Sequence, residues 1–145
     1  MAENEMNEDY VNGLRARLNQ NHRDVEAAIN LGNYYFDQQL PSQALVYYGI
    51  ALQINPDQPG VKTDMGTMYW SNGLFSYAEK TFKDVIEQYP GFGNAYLNLG
   101  MLYRNITKEP LKAIKVWKEL VEGYPQDAAA DKARKLLAEA FVELN

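Results

Sequence analysis

Residues 31–56 read LGNYYFDQQLPSQALVYYGIALQINP, and the same order of residue types returns at 65–90 as MGTMYWSNGLFSYAEKTFKDVIEQYP. Leu31-Gly32 falls on Met65-Gly66 and then on Leu99-Gly100, at a spacing of 34 each time. The same shift carries Tyr35 onto Tyr69 and Tyr103, Ala44 onto Ala78, Tyr48 onto Phe82 and Pro56 onto Pro90. After Tyr103 the register slips by one residue, and Ala113, Trp117 and Pro125 take the alanine, aromatic and proline places. The extra residue must lie between Tyr103 and Ala113. The polar run from Asn105 to Pro110 is the expected loop to hold it. Self-similarity at such a period means a repeat architecture.

Within each unit the apolar residues recur at helical spacing, first through Ala28, Leu31 and Tyr35, then through Leu45, Tyr48, Ala51 and Leu52. Each unit therefore predicts two amphipathic helices. Gly32, Gly66 and Gly100 sit inside the first helices, where glycine costs about 1 kcal/mol relative to alanine. The cost points to a close helix approach, expected against Ala44 and Ala78. Pro56, Pro90 and Pro125 end the units. Leu40-Pro41-Ser42 and Asn72-Gly73 mark turns, and Ser42 is expected to cap its helix.

The order Leu-Gly, Tyr, Ala, aromatic, Pro resembles the tetratricopeptide repeat, of bacterial type, over residues 24 to 125. The departure is the first motif place, usually tryptophan, held here by Ala28, Lys62 and Tyr96. The resemblance implies an all-α fold, a right-handed superhelical stack of antiparallel helical hairpins. The expected organisation is a flexible acidic N-terminus at 1–9 and an N-terminal helix at 10–23, a half repeat or cap. Repeats follow at 24–58, 59–92 and 93–126, and a capping helix at 127–145. Val11, Leu14 and Leu18 carry the first helix and are expected to leave an open edge. Ala129, Ala133, Leu136, Leu137, Ala140, Phe141 and Leu144 form the buried face of the last. His22 stands where an earlier unit would place its proline.

The chain has 145 residues and a formal charge of -5, which disfavours phosphate backbones and so nucleic acid. The acid excess is partly local, in Glu3, Glu5, Glu8 and Asp9. No cysteine is present, which excludes disulfides, thiolate nucleophiles and cysteine-ligated metals. No apolar run approaches the roughly 20 residues that span a bilayer, so direct membrane insertion is not expected. The N-terminus lacks the pattern of a secretory signal. A soluble protein of cytoplasm or periplasm fits, and composition does not choose between them.

Groups that do chemistry are scarce. His22 is the single histidine and lies in a predicted turn. Ser42, Ser71 and Ser76 lack a nucleophile-elbow setting. Gly91-Phe92-Gly93 follows no strand and reads as a flexible inter-repeat turn rather than a phosphate loop. No catalytic residue, metal ligand or cofactor is expected, and the chain does not read as an enzyme.

What the resemblance implies is a groove lined by the first helices, for a partner segment. Four columns would face it: Asn30, Asp64 and Asn98; Asn33, Thr67 and Met101; Ile29, Thr63 and Leu97; Phe36, Trp70 and Arg104. Asparagine both donates and accepts, matching a peptide backbone. Ile29, Leu97 and Met101 would supply apolar pockets, and Phe36 with Trp70 an aromatic wall. Family members that hold acidic chaperone tails carry a basic clamp on this face. Asn33 matches one clamp asparagine. Ile29 stands where a lysine is needed, Asp64 where an asparagine is needed, and Asn94 and Asn98 where basic residues are needed. The groove would therefore suit a neutral or basic segment. The expected function is a protein-interaction module or scaffold, as a monomer or weak homo-oligomer. The alternatives are a self-associating structural scaffold, or, by resemblance alone, an envelope assembly factor such as those serving c-type cytochrome biogenesis.

Overall fold

A computed structural model describes residues 2–145, and among them it contains helices and turns but no strand. The helices are α1 (Ala2–Gln20), α2 (Val25–Asp37), α3 (Pro41–Ile54), α4 (Pro59–Ser71), α5 (Phe75–Gln88), α6 (Gly93–Leu102), α7 (Pro110–Gly123) and α8 (Ala128–Leu144). A π-helical segment, Tyr103–Thr107, continues α6. The chain forms two compact units, one ending at Asn72 and the other spanning Gly73–Asn145.

Helix starts follow local chemistry. Asp24 caps α2, accepting from the Ala27 amide at 3.0 Å, and also pairs with Arg17. Asp127 caps α8 from the Ala129 amide at 2.8 Å. Pro41, Pro59 and Pro110 open α3, α4 and α7, where the missing N–H costs nothing. Ser42 is therefore not a cap: Pro41 occupies the first turn ahead of it, and Leu40 holds the cap position without a side-chain bond. Pro56, Pro90 and Pro125 stand just beyond the ends of α3, α5 and α7.

In the first unit α2 and α3 pair, α4 packs on α3, and α1 packs on α2. Val11, Leu14, Leu31, Tyr35, Tyr48 and Met68 build its core. The helix before the first hairpin begins at Ala2 rather than at residue 10, so the acidic stretch is helical and not a frayed end. Glu3 and Glu5 in its first turn favour the positive end of the helix dipole. Nor is the edge at Val11 and Leu14 open, because both are buried against α2; Met6 and Tyr10 are the exposed apolar residues of α1.

In the second unit α6 packs between α5 and α7, and α8 covers α6 and α7. Gly91 turns the chain at φ 92° against the Tyr124 ring, and Gly93 starts α6 against Ala129. This turn is tightly packed rather than loose. Ala129, Ala133, Leu137 and Ala140 are buried as expected. Leu136 is half-buried, and Phe141 and Leu144 stay about half exposed, so α8 carries an apolar flank that its own unit does not cover.

Gly32 and Gly100 admit aromatic rings rather than alanines. A Cβ on Gly32 would lie 2.4 Å from the Tyr48 ring, and one on Gly100 would lie 2.1 Å from Trp117. The small residue and the large one belong to facing helices of one hairpin, which the linear pattern alone does not pair.

The extra residue after Tyr103 is taken up in the helix, not in the loop. Residues Tyr103–Thr107 widen into a π turn, and Lys108 follows at φ 57°. The Glu109 amide then donates to the Tyr103 carbonyl at 2.8 Å. Gln39 and Gly73 occupy the same left-handed place after α2 and α4, at φ 56° and 76°.

Candidate functional site

On the first unit, Asn33 of α2 and Asp64 of α4 lie close to Tyr48 of α3. The Tyr48 hydroxyl donates to Asn33 Oδ1 at 2.7 Å. Burial drives the phenol's pKa up, and the charges of Asp64 and Asp37 push the same way. The Asp64 carboxyl is raised to about 6, first by burial and then by the Asp37 charge. Among the described residues, no ion pair reaches Asp37 or Asp64. Two carboxylates thus face each other's field without a cation.

Beside them is a cavity of about 600 Å³ between the ends of α2 and α4. Phe36, Asp37, Pro41, Thr67, Met68 and Ser71 line it, with Gln39 at the turn. Of the expected columns it gathers Phe36 and Thr67. Asp37 and Ser71 were legible too, standing 34 apart at one repeat position next to the aromatic column. Trp70 is half-buried, as are Ile29 and Asn30, while Asn33 is exposed. Thr63 is a correction: only 2% exposed, its hydroxyl donates to the Pro59 carbonyl at 2.7 Å, so it braces α4 and faces no ligand.

On the second unit, Asn98 and Met101 are half-buried on α6. Leu97 is also a correction. It is buried, and its carbonyl accepts from Trp117 Nε1 at 3.3 Å, so it belongs to the hairpin core rather than to an apolar pocket. Arg104 is held in place: its Nη1 donates to Glu139 at 3.2 Å, and its guanidinium lies 5.9 Å from the centre of the Trp117 ring. Among the described residues no group of three or more acidic, histidine or cysteine side chains is arranged to hold a metal, and no helix is long and apolar enough to cross a membrane.

Paired helices with glycine-seated aromatics, closed by proline after each second helix, define a helical-hairpin repeat protein. Residues 94–127 match the sequence pattern of the tetratricopeptide repeat. No curated protein sequence matches the chain. Its fold is similar to that of MamA, at TM-score 0.72 and 17% identity, covering 96% of this chain and 91% of that one. It is similar to the first tetratricopeptide domain of Spaghetti (RPAP3) bound to the HSP90 peptide SRMEEVD, at TM-score 0.69 and 21% identity, covering 83% and 94%. The tetratricopeptide domain of Arabidopsis OM64 aligns at TM-score 0.65 and 18% identity, covering 79% and 94%.

Proposed function

We propose that this chain is a protein-interaction module that takes a partner's polypeptide segment on the side chains of its first helices. The observation that carries this is the α2–α4 cavity, lined by the Phe36 ring, the Thr67 and Ser71 hydroxyls and the Asp37 carboxylate. Similar folds holding chaperone peptides support the general mode. Asn30, Asn33, Phe36, Asp64, Thr67 and Trp70 form the contact set on the first unit; Asn98 and Met101 are candidates on the second. The partner is neutral or basic, because an acidic segment would meet Asp37 and Asp64. An N-terminal helix, three repeats and a closing helix are the organisation that fits the eight helices.

The test is affinity purification from the native host with the wild-type chain and with Phe36→Ala/Asn33→Ala. Proteins held by the first and lost by the second support the site; an identical set of captured proteins sinks it.

A second reading, self-association, rests on α8, where Phe141 is 49%, Val142 75% and Leu144 47% exposed. Light scattering that shows a monomer at every concentration, unchanged by Phe141→Ser, removes that reading.

A further inference from the structure

The cavity opens to solvent beside the exposed Asp37, and its walls restrict which partner groups can enter it. Phe36, Pro41 and Met68 give it apolar sides, while Asp37, Thr67 and Ser71 give it acceptors. Asp64 lies one turn before Thr67 on the same face of α4, so its field reaches the same space. An anionic group is excluded by charge, and a purely apolar one would strip water from Asp37 without replacing its hydrogen bonds. A long side chain with an apolar stem and a cationic head satisfies both walls: the stem lies along Phe36 and Met68, and the head meets the carboxylate. The cavity, at about 600 Å³, is roomy enough for one such chain with water around its head. None of the ion pairs among the described residues involves Asp37 or Asp64.

We infer that the cavity between the ends of α2 and α4 is a specificity pocket for a lysine or arginine side chain of the bound segment. The inference rests on the interaction-module reading and goes further, naming the one residue type that decides which segments bind. Phe36 and Met68 hold the stem, Asp37 pairs with the head, and Asp64 supplies the second negative charge.

The experiment uses a random linear peptide library, displayed on phage and selected on the full chain, on Asp37→Asn and on Asp37→Asn/Asp64→Asn. The expected result is enrichment of lysine or arginine at one fixed position on the wild type, lost on both variants. A synthetic peptide of the winning sequence should bind the variants about tenfold more weakly, close to 1.4 kcal/mol. Norleucine in place of its key cation should cost the wild type as much and the variants almost nothing. Enriched peptides without a fixed cation, or with one that survives Asp37→Asn, overturn the pocket while leaving the interaction module standing. Failure of any peptide to enrich, or enrichment untouched by Phe36→Ala, overturns both. Circular dichroism of each variant separates lost binding from lost fold.

Discussion

Asp64 holds a carboxylate in a half-buried place where the aligned residues, Asn30 and Asn98, are neutral amides. Its carboxyl rises from 3.8 to about 6 through burial and the Asp37 charge. A raised acid means that the folded chain keeps a proton the unfolded chain has released. Stability is therefore lost as pH rises from about 4 to about 6, and the ionised group destabilises the fold at neutral pH. Asp64→Asn should raise stability by about 1–2 kcal/mol near pH 7.5 and by almost nothing near pH 4, read from urea midpoints at both pH values. The glycines give predictions of opposite sign. Gly32→Ala forces a methyl into the buried Tyr48 ring and should cost about 2 kcal/mol. Gly49→Ala meets nothing within 4 Å on α3 and should gain about 1 kcal/mol, measured by the same titration. The motif places and glycines were legible because each repeats at a fixed interval. The partner of each glycine was not, because pairing across a hairpin depends on how two helices are phased against each other. Thr63 and Leu97 were misplaced for the same reason, since a column read along the chain does not say which side the neighbouring helix covers.

At the scale of helices, the left-handed residue after the first helix of a hairpin is the shared device. Gly73 adopts it freely, whereas Gln39 and Lys108 adopt it with a Cβ. Gln39→Gly and Lys108→Gly should each stabilise by about 1 kcal/mol, with the urea midpoint moving and its slope unchanged. Helix number and approximate limits were readable from apolar period and proline positions. The start of α1 was not, because an acidic polar run forms helix here on dipole and propensity terms that carry no apolar period. The π turn was equally hidden: one surplus residue looks the same in sequence whether a loop or a helix absorbs it.

For the molecule as a whole, charge sets what each unit accepts. The chain carries -5 overall, and on the first unit Asp64, within the field of Asp37, stands where an acidic-tail clamp would need an asparagine. Calorimetric titration with the peptide SRMEEVD, held by one of the similar domains, should show no saturable heat. Tight, salt-sensitive binding of that peptide would contradict the charge argument. The fold was legible at this scale because the period is a property of the entire chain; the occupant was not, since the cavity joins Asp37 and Ser71 to residues of two other motif places. The widened turn at Tyr103–Thr107 has a consequence for how such chains vary. A helix advances about 100° per residue, so one residue inserted mid-helix would rotate everything beyond it onto the wrong side. Here the surplus is spent as a local bulge at the helix end, and Ala113 and Trp117 keep full burial downstream. Such a terminus acts as a phase buffer, letting insertions and deletions accumulate between helices without scrambling which residues face inward.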